Sequence, residues 1–197
     1  MTMATKAEIK DSAYYCFAHY GYEGTTMQDI AKAVGLKKQS LYSHFQSKEE
    51  LYLTVLQEQQ RKVIGEIKAS LVKLRGKPLE DLLKGLFNSY VSIFLDREML
   101  LLWKRTLIYF GSDNKTLINA GDTMTSPWDM MNDDFYQLLE GYFRHLNDES
   151  SFRTFLISYM LMIQGYLDWM LVMGHNETAW SAVWKNYWNG ATTFFLK

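Results

Sequence analysis

Residues 25–53, TTMQDIAKAVGLKKQSLYSHFQSKEELYL, decide how this chain folds. Thr26 with Asp29 three positions on is a capping-box pattern: the hydroxyl accepts from an orphan amide of a first helical turn, while the carboxylate reaches back to the cap and faces the helix's positive end. The helix so opened is predicted to run to about residue 33. Ile30, Ala31 and Val34 fall on its inward face, and Ala31 is small enough for a second helix to cross closely. Gly35 breaks the run and supplies the positive φ that a tight turn between two helices requires. The next helix, over residues 37–45, buries Leu41 and Phe45 one turn apart and leaves cationic and hydrogen-bonding side chains outward. Base edges and phosphates require groups of that kind. Ser47 and Glu50 form a second capping box, and Lys48 places a cation beside the free amides of a longer helix, where a phosphate can be held.

Upstream, a helix over residues 6–20 turns Ile9, Ala13, Cys16, Phe17 and Tyr20 inward and ends at Gly21. Downstream, the helix from Lys48 continues through Leu51, Val55, Val63, Ile67 and Leu74 until Gly76 and Pro78 stop it. Further helices are expected over residues 78–95, 97–110, 126–146, 148–173 and 177–195, with a looser segment over 111–125. No stretch offers strand alternation, so the chain is expected to be all-α, with about nine helices.

Composition narrows the function. The net charge is −1, and residues 1–58 carry six Lys against seven acids with no Arg, so a nucleic-acid surface here must concentrate its charge locally. A single cysteine forbids an internal disulfide and Cys-rich zinc patterns. His19, His44, His145 and His175 have no His or Cys four residues away, so no metal is expected. No nucleophile elbow, phosphate loop or paired-carboxylate pattern stands out; neither catalytic residues nor a cofactor are expected. The N-terminus lacks a secretory pattern, which makes the cytoplasm the expected compartment. Residues 154–174 are long enough to span a bilayer, but Gln164 and Asp168 inside them favour a buried helix over a membrane span. Residues 61–77 hold six cations against Glu66 alone, which reads either as a second anionic contact or as a solvated helix face.

Two linked runs, GYEGTTMQDIAKAVGL over residues 21–36 and SLYSHFQSKEEL over residues 40–51, closely resemble the N-terminal domain of the TetR/AcrR family of bacterial transcriptional regulators. The resemblance covers the first quarter to third of the chain, and the remainder is compatible with the family's second domain. It implies a three-helix helix-turn-helix domain over residues 1–50 and a helical ligand-binding and dimerisation domain over residues 51–197. Position by position, Lys38, Gln39, Ser40, Tyr42, Ser43 and His44 match the family's recognition-helix contacts. Thr26 and Met27 match contacts at the preceding helix, and Lys48 matches a phosphate contact. On chemical grounds Lys38 and Gln39 suit base edges, whereas Tyr42, His44, Thr26 and Lys48 suit phosphates. Glycine is common in the family where Gln39 stands here, so this long side chain either reads a base or shifts the helix outward.

In the C-terminal region Trp180, Trp184, Tyr187, Ala191 and Phe194 recur as a heptad-like seam, and the helix before it is apolar nearly all round. With Tyr159, Ile163 and Met170 these residues are expected to form a four-helix bundle across a twofold axis, as the resembled family does; packing within the chain is the alternative. Trp103, Phe110, Trp128, Met131, Phe135, Tyr166 and Trp169 suit a pocket for a lipophilic or aromatic small molecule, against the plainer reading of helical core. Asp168, an acid in an apolar helix, is expected to seek a cationic or hydrogen-bonding partner. The expected protein is a homodimeric repressor that binds a pseudo-palindromic duplex operator and is released by such a molecule. The alternative is a DNA-bound protein that recruits a protein partner without any effector.

Overall fold

The computed structural model describes residues 4–111 and 149–194, with Leu139 and Tyr142 between them. The described residues form eight helices: α1 (Lys6–Gly24), α2 (Met27–Ala33), α3 (Lys38–Tyr42), α4 (Lys48–Leu74), α5 (Leu79–Phe94), α6 (Arg97–Gly111), α7 (Glu149–Met173) and α8 (Glu177–Phe194). The all-α class expected from the sequence is the class observed, and no strand occurs among the described residues. The helix expected over residues 126–146 lies outside the described residues, apart from Leu139 and Tyr142. Two compact units share the chain, one of Met1–Val63 with Asp96–Thr125, the other of Ile64–Leu95 with Ser126–Lys197.

The first unit is built around α1. Ile9, Ala13, Phe17 and Ala18 of this helix are fully buried against Ile30 and Ala31 of α2, Leu41 of α3, and Leu51 and Val55 of α4. The Phe17 ring meets the Tyr52 ring edge-on at 4.8 Å, the offset geometry that aromatic quadrupoles favour. Leu102 of α6 closes this core from far along the chain, and Tyr52 Oη pairs with Thr106 Oγ1 of α6 at 3.2 Å. Two further ties join α1 to α6: the Arg105 guanidinium donates to the His19 carbonyl at 2.9 Å, and His19 Nε2 lies 3.2 Å from Glu98 Oε1. The buried face of α1 stops at Ala18, and Tyr20 is 58% exposed, outside the core expected for it. The helical geometry breaks one residue later, at Gly21 with φ 73°.

In the second unit, α5, α7 and α8 bury an aromatic-rich core. The Phe87 ring stacks on Trp180, Trp180 Nε1 donates to Asn88 Oδ1 at 3.1 Å, and Tyr159 Oη donates to the Leu83 carbonyl at 2.6 Å. This packing corrects the expected dimer seam. Tyr159, Ile163, Met170, Trp180, Trp184 and Ala191 are all buried within their own chain, and Tyr187 is half-buried with its hydroxyl 3.0 Å from Ser158 Oγ. The reason is that α8 uses its widest apolar stripe to cover α5 and α7; residues spent on that core have no surface left for a second copy. The Phe194 side chain lies outside the described residues.

What α7 leaves outward is a different row, Ile157, Leu161, Gly165, Asp168 and Val172, at spacings of four, four, three and four. Ile157 and Leu161 are 60% and 64% exposed. By length and composition Phe152–Met173 could cross a membrane. Phe155, Tyr159, Ile163, Tyr166 and Met170 are interior residues of this unit, but only 33% of the helix's apolar stretch is buried, so the helix is not the buried one expected.

Candidate nucleic-acid interface

The sequence dictates the turn between α2 and α3 almost atom by atom. Thr26 Oγ1 accepts from the Asp29 amide at 3.2 Å, and Asp29 Oδ2 accepts from the Thr26 amide at 3.0 Å, which is the reciprocal box expected. Hydrogen bonds from Thr26 to its carboxylate hold Asp29 below the usual carboxylate range. Gly35 has φ 68°, the Leu36 amide donates to Ala31 O at 2.8 Å, and the Gly35 amide donates to Lys32 O at 3.2 Å. Those two bonds make a Schellman stop, with Leu36 folding back onto the core. Thr26→Ala is therefore expected to cost about 1 kcal/mol of unit stability, and Thr26→Ser almost nothing, by denaturant unfolding. Equal stability of the wild type and the alanine variant would show that the cap is idle.

Helix α3 is shorter than expected, Lys38–Tyr42 rather than 37–45, because His44 and Phe45 close the element with single-turn bonds to Leu41 O. Leu41 and Phe45 are buried as the spacing required. Lys38, Gln39, Tyr42 and Ser43 are exposed, and Ser40 and His44 are half-buried. Tyr42 is 44% exposed, and the Lys38 ammonium stands 5.9 Å from its ring centroid, so the two side chains share one face of α3. Ser43 Oγ donates to Ser40 O at 2.7 Å, which leaves that hydroxyl only as an acceptor for anything outside the helix.

Two expected contacts are placed differently. Met27 is 4% exposed and belongs to the core; at the first position of α2 its side chain points into the α1–α2 packing, so only its backbone faces outward chemistry. The Lys48 ammonium donates to Tyr22 O at 2.8 Å and Thr25 O at 3.1 Å and lies 4.1 Å from the Tyr22 ring centroid. Lys48 thus ties the start of α4 to the α1–α2 junction, and one N–H remains for an anion. The second capping box is also displaced: Ser47 Oγ accepts from the Glu50 amide at 3.0 Å, but the Glu50 carboxylate takes the Gln46 amide.

The near-neutral charge of residues 1–58 resolves here. Of the seven acids, Glu8, Asp29 and Glu50 accept backbone amides at or just before three helix starts, and Glu58 pairs with Lys10 at 2.6 Å. Backbone and side-chain hydrogen bonds from Thr5 lower the Glu8 pKa, and the bond from Lys10 lowers that of Glu58. Four acids are thereby committed to the scaffold, whereas Lys37 and Lys38 stand exposed at the start of α3.

Among the residues expected to line a ligand pocket, Tyr166 is buried, stacks on Trp169 at 5.7 Å and places its hydroxyl 2.9 Å from His175 Nδ1. Trp169 and Trp103 are half-buried. Asp168 is exposed and falls on the outward row of α7. Trp128, Met131, Phe135 and the Phe110 side chain lie outside the described residues. No cluster of His, Cys, Asp or Glu suited to a metal occurs among the described residues.

A short helix presenting cationic and amide side chains, held proud of a small helical core by a capped helix and a glycine turn, defines a helix-turn-helix protein. Residues 9–55 match the family described as bacterial regulatory proteins, tetR family. It is this reading segment, not the whole chain, that is similar to that family. Over 47 residues it is 51% identical to the biofilm operon icaADBC HTH-type negative transcriptional regulator IcaR of Staphylococcus epidermidis and 53% identical to that of Staphylococcus aureus. The match takes in 24% of this chain and 25% of those proteins, so the chain spans about a quarter of the length of the curated relatives it matches. In fold it is similar to a putative TetR-family regulator of Mesorhizobium loti, with TM-score 0.68 at 22% identity over 96% of this chain and 94% of the other. A TetR-family regulator of Cytophaga hutchinsonii gives TM-score 0.68 at 15% identity over 100% of each. A third structure, described as the molecular basis for control of antibiotic production by a bacterial hormone, gives TM-score 0.62 at 20% identity over 95% and 97%.

Proposed function

We propose that the chain is a homodimeric, cytoplasmic repressor that binds a pseudo-palindromic operator through α3 and is released by a lipophilic or aromatic small molecule. The observation that carries this reading is the exposure of Lys38, Gln39 and Tyr42 on a helix whose opposite face is locked into the core by Leu41. Lys38 donates to guanine O6 or N7, and Gln39 pairs with adenine through two hydrogen bonds. Thr26, Tyr42, His44 and the remaining N–H of Lys48 meet the phosphates, with Ser40 and Ser43 as lesser contacts. Residues 1–50 serve as the reading domain and residues 51–197 as the effector and dimer domain.

A second copy is the occupant that suits the outward row of α7. Ile157, Leu161 and Val172 are large apolar side chains in water, and Gly165 between them has open space where a side chain would stand, which lets a partner helix approach closely. A dimer sets two α3 helices about 34 to 36 Å apart, in successive major grooves. An effector that repacks residues 64–74 acts on the helix that begins at Lys48. A coupling of about 1 to 3 kcal/mol suffices for release. The relatives' role as negative regulators and the hormone-linked structural neighbour support the repressor and effector parts of this reading.

The direct test selects bound sequences from a random duplex pool and measures their affinity. Lys38→Ala and Gln39→Ala are each expected to lose about 1 to 3 kcal/mol of discrimination at one base position while still binding duplex DNA. Unchanged preference in both variants would mean that α3 does not read bases.

A further inference from the structure

The face that α3 offers has Lys37 and Lys38 exposed at its start, and a duplex crossing it calls for a cation at its other end. Lys6 supplies one. It is exposed at the first position of α1, and its ammonium lies 4.8 Å from the ring centroid of Phe45, the buried residue that closes the α3 turn. Sequence spacing hides this, because Lys6 and Phe45 are far apart in the chain and meet only through the packing of α1 on α3. The position is electrostatically adverse for helix formation: a first-turn cation faces the positive helix end, where acids are favoured, as Glu8 in the same turn illustrates. No ion pair to Lys6 occurs among the described residues, so an attractive partner from outside the chain would offset that cost.

We infer that Lys6 is an additional phosphate contact, which clamps the duplex beside the C-terminal end of α3 while Lys37 serves its N-terminal end. The inference rests on α3 being the groove-entering helix. A helix of five residues spans about 7.5 Å, less than the width of the major groove at about 12 Å, so strands of the sugar-phosphate backbone pass near both of its ends. Stacking on Phe45 pre-orders the ammonium, which lowers the entropy lost on engaging a phosphate.

The probe is a labelled mixed-sequence duplex of about three helical turns, titrated by fluorescence anisotropy at salt concentrations between about 50 and 200 mM, because a phosphate contact is independent of sequence. Lys6→Gln is expected to reduce the slope of log affinity against log salt by about 0.9 per reading head engaged, and to weaken binding about eightfold per head at 0.1 M salt. Lys6→Arg is expected to keep both near wild type, and neither variant to lower the melting temperature. A Lys6→Gln slope equal to wild type overturns the inference, even if its melting temperature falls, since that marks a purely structural role. Should Lys37→Gln lower the slope while Lys6→Gln does not, the reading of α3 stands and the Lys6 clamp alone fails. Failure of the wild-type chain to bind any duplex overturns both.

Discussion

Leu161→Glu is expected to yield a folded monomer whose operator affinity is lower by about two to four orders of magnitude. Leu161 is 64% exposed in the single chain, so the substitution removes no interior contact and should change subunit stability by no more than about 0.5 kcal/mol. Across a twofold interface the same change acts twice, bringing two carboxylates into a patch otherwise made by Ile157, Leu161 and Val172. Once the two heads are no longer linked, each binds its half-site alone, and the effective-concentration gain of the second contact is lost. Sedimentation equilibrium reads the oligomeric state, and anisotropy on a selected operator reads the affinity. A dimer that persists with full affinity would rule out this face and return attention to other surfaces of the second unit.

The second large effect concerns the scaffold. Phe17→Ala is expected to destabilise the first unit by about 3 to 5 kcal/mol, a large share of the 5 to 15 kcal/mol typical of a whole domain. Phe17 is fully buried at the centre of α1, edge-on to Tyr52 at 4.8 Å and beside Tyr22 at 6.3 Å, so its loss opens a cavity among rings that cannot collapse independently. Tyr22 also carries the cation-π contact and one of the carbonyls that hold Lys48. Loosening at Phe17 is therefore expected to weaken DNA binding before global unfolding. Phe17→Leu, which keeps most of the volume, should cost less than about 1.5 kcal/mol. Denaturant unfolding followed by far-ultraviolet circular dichroism compares the three proteins. A midpoint for the alanine variant within error of wild type would show that α1 is not the centre of this core.

The sequence by itself determined the local geometry of the reading unit, because caps, stops and one-turn spacings act over a few residues and depend little on distant contacts. Thr26 with Asp29, the positive φ at Gly35 and the burial of Leu41 and Phe45 all follow from short-range chemistry. Tertiary structure alone decided what each apolar stripe packs against. Trp180, Trp184 and Ala191 repeat at spacings that suit a partner copy or a neighbouring helix equally well, and only the placement of α5 and α7 commits them to the interior. The same holds for Asp168, whose helix is apolar nearly all round in sequence yet turns one row to water. Met27 and Lys48 show the limit at single residues: the first is drawn into the α1–α2 core, the second is held by carbonyls of Tyr22 and Thr25 more than 20 positions away. The closure of the first unit by Leu102 and Thr106 of α6 is invisible in any local pattern, since burial and long-range hydrogen bonds depend on which surfaces meet, and periodicity fixes only which residues share a face.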